Sequence, residues 1–175
     1  MKILGLDSSG IVASVAIVED ENLIAEYTVN YKKTHSQTLL PMLDELVKMT
    51  ELDLDTIDAI AVAAGPGSFT GLRIGSATAK GLGLALKKPL VEIPTVDALA
   101  YNLYDSRALI CPIMDARRSQ VYTGIYRFQE HKLVTVEAQM AVPMAEMIEK
   151  LNARGEEVVF LGDGVPVWRD LCERG

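Results

Sequence analysis

Between Ile57 and Leu86 an apolar run, a glycine-rich break and a run of small residues follow one another, and few folds accept that succession. Its centre reads Ala63-Ala64-Gly65-Pro66-Gly67-Ser68-Phe69-Thr70-Gly71-Leu72-Arg73-Ile74-Gly75. Ile60 to Ala64 has the length and uninterrupted apolarity of a strand covered on both faces. Gly65, Pro66 and Gly67 break it, because glycine reaches positive φ while proline fixes φ and has no N–H. Ser68 or Thr70 is placed to cap the helix that follows. A strand, a glycine turn and a helix N-terminus together offer backbone N–H groups and a positive dipole end to an anion. The same residues also make a tight strand-to-helix connection that needs no ligand.

Spacing excludes three common motifs here. A P-loop needs Lys-Ser/Thr after its last glycine, and Gly71 is followed by Leu72-Arg73. A dinucleotide fingerprint needs glycine where Thr70 stands. A nucleophile elbow around Ser68 needs glycines at the positions of Pro66 and Thr70.

The helix beyond the turn is unusual. Gly71, Gly75, Ala79 and Gly83 recur every fourth residue, as do Ala77, Gly81 and Ala85. Each interior glycine costs about 0.5–1 kcal/mol relative to alanine, so the stripe needs a compensating contact. That contact is either the protein's own sheet or a helix of another subunit. Arg73 in the first turn opposes the helix dipole, which predicts a specific partner: a carboxylate such as Asp7, a carbonyl, or a bound phosphate.

On either side of this segment the chain alternates strands and helices. Ile3–Leu6, Ile11–Val18 and Leu23–Val29 read as a three-stranded meander with Asp7-Ser8-Ser9-Gly10 at its first turn. Asp7 either closes that turn through its own side chain or faces a phosphate or metal-bound phosphate. Pro41 fits a first helical turn, so a helix is expected from about Thr38, with Leu39, Leu43, Leu46 and Val47 on one face. His35 before it reads as a cap or surface residue. Leu90–Ile93 is a further strand, and Thr95 caps a short helix through Tyr104. The meander then repeats at Ala108–Met114, Val121–Phe128 and Leu133–Val136. A helix over 145–151, a strand over 157–161 and part of a last helix follow.

The order is βββαβαβα, then βββαβ and part of a helix. This predicts an α/β protein with a duplicated ribonuclease H-like motif, the two-lobed actin, Hsp70 and sugar-kinase architecture. The lobes are expected over 1–104 and 105–175, the second of them incomplete. A length of 175 residues suits two small lobes. A net charge of −7 disfavours phosphate-driven nucleic-acid binding by the chain as a whole. Arg117-Arg118 is left as a local basic cluster that could touch RNA within a larger assembly. Cys111 and Cys172 have no metal-like spacing and read as reduced thiols. With no apolar leader and no membrane-length segment, the expected place is the cytoplasm, with no membrane partner.

Leu4-Gly5-Leu6-Asp7-Ser8-Ser9, Thr34-His35-Ser36-Gln37-Thr38-Leu39-Leu40-Pro41 and Gly65 to Gly75 closely resemble the bacterial TsaB (YeaZ) family. Lys88-Pro89-Leu90 and Met114-Asp115-Ala116-Arg117 fit it as well. The resemblance covers essentially the whole chain. It implies the two-lobed fold and a role in making N6-threonylcarbamoyladenosine beside the anticodon of tRNAs that read codons beginning with A. Family members generally continue beyond residue 175, which is why the second lobe is expected to be incomplete.

The catalytic paralogue TsaD carries a His-x-x-x-His metal pair shortly after a Lys-Pro strand. Here Thr95 and Leu99 stand at those positions; leucine has no donor atom, and a lone threonine hydroxyl is a poor ligand for iron or zinc. The resemblance therefore implies a non-catalytic subunit, with no catalytic or metal-binding residue. It is expected to pair with TsaD, to work with the ATPase TsaE, to form a homodimer when alone, and to meet tRNA only through the complex. The implied contact surface is Leu39, Met42, Leu43 and Leu46 of one helix with Gly71, Ile74, Gly75, Thr78, Ala79 and Leu82 of the next. The competing reading is an ATPase or small-molecule kinase of the same fold. It would hold ATP or ADP with magnesium at Asp7, Ser8, Ser9, Gly65, Gly67 and Ser68. A peptidase has no supporting constellation.

Overall fold

The computed structural model describes residues 1–31 and 35–174, and Thr34 of the family stretch lies outside them. The chain divides into two compact units, Met1–Pro94 and Thr95–Gly175.

In the first unit β1 (Lys2–Asp7), β2 (Ala13–Glu19) and β3 (Asn22–Val29) form the antiparallel meander. β4 (Ala59–Gly65) then runs parallel to β1, and β5 (Leu90–Pro94) parallel to β4, giving the order β3-β2-β1-β4-β5. The alternation of Ala13, Val15 and Ile17, all buried, puts one face of β2 into the core. Two helices cover that face: α1 (His35–Thr50) over β2 and β3, and α2 (Phe69–Leu86) chiefly over β4. Leu4, Leu6, Val15, Ile17 and Ile60 meet Leu39, Leu43 and Leu46 there. Each such side chain contributes about 1.5–3 kcal/mol of burial.

The helix expected from Thr38 starts at His35 instead, which leaves Pro41 inside it. Proline deprives the Gln37 carbonyl of its in-helix donor. Both Gln37 and Pro41 are exposed, so water can satisfy that carbonyl.

The second unit opens with α3 (Thr95–Ala100) and a 3₁₀ turn over Tyr101–Leu103. β6 (Leu109–Asp115), β7 (Gln120–Gln129) and β8 (Lys132–Pro143) repeat the meander. After α4 (Met144–Arg154), β9 (Val158–Leu161) pairs parallel to β6, and α5 (Val165–Arg174) follows. The order β8-β7-β6-β9 reproduces β3-β2-β1-β4, so the duplication read from the sequence is present in the topology. Here the sheet is covered twice. α4 and α5 pack over Cys111, Ile113 and Val121, while Val96 and Ala100 of α3 pack on Ile110, Met114 and Tyr126. That is why β6 is buried along almost its whole length.

Residues 95–104 were expected with the first lobe, but Val96 and Ala100 belong to this second core. Thr95 does not cap α3. It is the helix's first residue, buried, and its hydroxyl has no hydrogen-bond partner among the described residues. β8 runs seven residues past the expected Val136, to Pro143. Its polar Glu137-Ala138-Gln139 stretch carries no strand signal, and pairing with β7 holds it through register shifts around Ile125. No helix of the described residues is long and apolar enough to cross a membrane.

Candidate functional site

The glycine turn packs onto the first turn of the meander. Asp7 Oδ1 accepts the Ser9 N–H at 2.8 Å, so Asp7 closes its own turn. Ser8 is buried and donates its hydroxyl to the Gly71 carbonyl at 2.9 Å. The Ser9 carbonyl accepts the Ser68 N–H at 2.6 Å. A β-carbon at Gly67 would lie 2.3 Å from the Ser9 carbonyl oxygen, and one at Gly71 2.0 Å from that of Ser8. At Gly75 it would meet the Ser8 hydroxyl at 2.5 Å. These glycines therefore make room for the Asp7–Gly10 turn. His35 completes the junction by donating from Nε2 to the Gly10 carbonyl at 2.8 Å, which fixes the proton on that nitrogen. The sequence offered His35 only as a cap or surface residue, because Gly10, the partner that fixes it, lies 25 residues earlier.

Three amides of the turn and the first helical turn already have partners within the protein. Ser68 N–H goes to Ser9, Leu72 N–H to the Ser68 carbonyl at 2.8 Å, and Gly71 N–H to the capping Ser68 hydroxyl at 3.3 Å. A phosphate would have to displace the Ser9 carbonyl. Asp7, Ser8, Ser9, Gly67 and Ser68 thus come together in a packed joint, while Gly65, at the end of β4, faces the Leu72 side chain. Ser68→Ala removes the cap alone and is expected to cost about 1 kcal/mol, read as a lower urea midpoint with an unchanged slope.

The small-residue stripe faces inward. Gly71, Gly75, Ala79 and Gly83 are the buried residues of α2, and Leu39, Met42, Leu43 and Leu46 are those of α1. Seven of the ten residues expected at a subunit contact are thus enclosed in the unit's own core. The other three, Ile74, Thr78 and Leu82, are half-buried. What α1 and α2 expose is a different set: Leu40, Met49, Phe69 and Leu84, the last 83% exposed. Among the described residues Arg73 has no carboxylate partner; its guanidinium lies over the Phe69 ring, 3.9 Å from the centroid. Phe69, Leu72, Arg73, Ser76, Lys80 and Glu92 line an open groove of roughly 500 Å³ along α2.

The second unit also sets glycines against the strand that opens its meander. Asp115 Oδ1 accepts the Arg117 N–H at 3.0 Å, two residues on, as Asp7 does with Ser9. Gly164 donates its N–H to the Ile113 carbonyl at 3.0 Å. A β-carbon at Gly162, whose φ is 107°, would sit 2.4 Å from the same oxygen. Among the described residues no three His, Cys, Asp or Glu side chains gather at one point.

Two units, each an antiparallel meander whose first strand is then joined by a parallel strand, define a duplicated ribonuclease H-like protein of the actin-like class. Residues 22–173 match the family model described as "TsaD: tRNA N6-adenosine threonylcarbamoyltransferase". The chain is 35% identical over 173 residues to the Bacillus subtilis tRNA threonylcarbamoyladenosine biosynthesis protein TsaB, covering 99% of itself and 76% of that protein. With the Escherichia coli protein of the same name the identity is 31%, covering 98% and 75%. The solved structure of YeaZ from Pseudomonas aeruginosa superposes with a TM-score of 0.74 at 31% identity, over 81% of this chain and 66% of that one. The chain belongs to the TsaB (YeaZ) family.

Proposed function

We propose that the chain is a non-catalytic subunit in tRNA threonylcarbamoyladenosine biosynthesis, working in the cytoplasm. It pairs with a TsaD-type transferase, works with a TsaE-type ATPase, and forms a homodimer when alone. The observation that carries this reading is 35% identity over nearly the whole chain to a TsaB named for that biosynthesis. Two features of the site support the non-catalytic part. The joint between the turns is filled by the protein's own Ser9 carbonyl. Thr95 and Leu99 replace the paralogue's metal pair and offer no set of ligands.

Because the inner faces of α1 and α2 are spent on the core, the contact with the transferase falls on their outer faces, at Leu40, Met49, Phe69 and Leu84. Reconstitution with the transferase, the ATPase and the threonylcarbamoyl-adenylate donor tests the role. Modification of tRNA is expected to fall at least tenfold without this chain, and equal rates with and without it would sink the reading. Leu84→Arg is expected to abolish co-elution with the transferase while the melting temperature stays where it was. ATP turnover by the chain alone, lost in Asp7→Ala, would count for an enzyme instead.

A further inference from the structure

The turn between β6 and β7 holds Arg117, Arg118 and Ser119 in left-handed backbone, with φ of 66°, 50° and 61°. None is a glycine or asparagine, the residues that reach this region at little cost. Three side-chain-bearing residues in a row persist there only when the surroundings hold them. Four hydrogen bonds do so. Asp115 Oδ1 accepts the Arg117 N–H at 3.0 Å, and the Ala116 N–H reaches the Gln120 carbonyl at 3.0 Å. The Gln120 N–H reaches the Arg117 carbonyl at 2.9 Å, and the Met144 N–H at the start of α4 reaches that of Ser119 at 3.3 Å. The turn is thus a fixed mount for two adjacent arginines.

Both side chains are exposed, and neither forms an ion pair with a described residue. Three other arginines of the unit are paired, Arg127 with Glu156, Arg154 with Glu137 and Arg169 with Glu173, while Arg107, like these two, forms no ion pair with a described residue. Within the turn Asp115 accepts the Arg117 amide, and Asp163 interacts with Asp115. In a chain of net charge −7, two uncompensated guanidinium groups on a rigid turn are a local exception.

We infer that the Arg117–Arg118 turn grips two phosphates of an RNA backbone. Arginine's planar fork meets a phosphate through two parallel N–H···O bonds, where a lysine would supply only a point charge. The contact is sequence-blind and salt-sensitive, and the acidic remainder of the chain confines it to this turn. That the RNA is a tRNA rests on the function proposed above; the phosphate contact itself does not.

The test is titration of labelled tRNA, over a salt series, into the complex with the transferase and into the isolated chain. The double variant Arg117→Ala/Arg118→Ala is expected to reduce the slope of log K against log salt by about 1.4–1.8, the loss of two phosphate contacts. Arg117→Lys/Arg118→Lys should keep most of the slope. Arg117→Gly/Arg118→Gly should lose it and melt higher than wild type, because glycine relieves the left-handed backbone. An unchanged slope in the folded alanine variant overturns the inference. So does a variant whose only defect is failure to bind the transferase, which would make the turn a protein contact. If wild-type modification proves independent of this chain, the proposed function fails, while the slope measured on the isolated chain still decides this one.

Discussion

Gly71→Ala is expected to destabilise the first unit by about 3 kcal/mol or more, while Gly81→Ala in the same helix should stabilise it by about 0.5–1 kcal/mol. At Gly71 the new methyl group would lie 2.0 Å from the Ser8 carbonyl oxygen and 3.2 Å from the His35 ring. A backbone oxygen cannot swing aside as a side-chain end can, so either α2 lifts off β1 or the Asp7–Gly10 turn opens. Either movement breaks the Ser8–Gly71 hydrogen bond at 2.9 Å and strands the buried serine hydroxyl. Against a typical domain stability of about 5–15 kcal/mol the loss is a large fraction. At Gly81 nothing lies within 4 Å, and alanine gains the helix propensity that glycine lacks. Urea midpoints of the two variants read the difference directly. Equal effects would mean that the small-residue stripe does not pack as described. By the same geometry a bulky residue at Gly75 or Ala79 is expected to unfold the unit before it alters any pairing surface.

The stripe shows where sequence reading stops. Its period of four predicts close approach, and that was legible. The object approached was not, because a Ser-Ser turn sixty residues earlier carries no mark of lying under a helix. The meanders, the parallel strands and the duplication could be read because their apolar runs and turn residues agree with the final topology. The start of α1 was missed because a tertiary contact, from His35 to Gly10, outweighed the local preference of Pro41. The end of β8 was missed for a similar reason, since pairing with β7 overrides weak strand propensity. Arg73 was assigned a carboxylate, a carbonyl or a phosphate as its partner because the helix dipole disfavours a cation at that end. The Phe69 ring, one turn before it, provides a cation–π contact that the dipole argument does not consider.

Raising the pH above about 9 is expected to unfold the second unit, with a loss of about 4 kcal/mol by pH 12 from a single thiol. Cys111 sits in the middle of β6, fully buried, 3.3 Å from the Thr123 hydroxyl. Burial pushes its thiol from the ordinary 9.0 up to about 12, an effect that the Thr123 contact only partly opposes. The folded state therefore holds this proton more tightly than the unfolded chain does. The stabilisation is complete below the unfolded value and disappears as pH rises toward the folded one, at about 1.4 kcal/mol per pH unit. Tyr126 acts in the same direction. Burial first, and then donation of its hydroxyl to Asp97 at 2.6 Å, hold it well above the usual tyrosine range, so a second slope begins above about pH 10. Urea midpoints measured under reducing conditions from pH 8 to 12 should fall steadily beyond pH 9. Cys111→Ala is expected to lose some stability at neutral pH to the cavity it leaves, yet to lose most of the decline between pH 9 and 10, keeping only the part due to the Cys172 thiol, which burial also pushes up. Tyr126→Phe should keep the first decline and lose the steepening above pH 10. A wild-type curve that stays level to pH 11 would mean that solvent reaches Cys111 and that the core between β6 and its two covering helices is looser than its burial indicates.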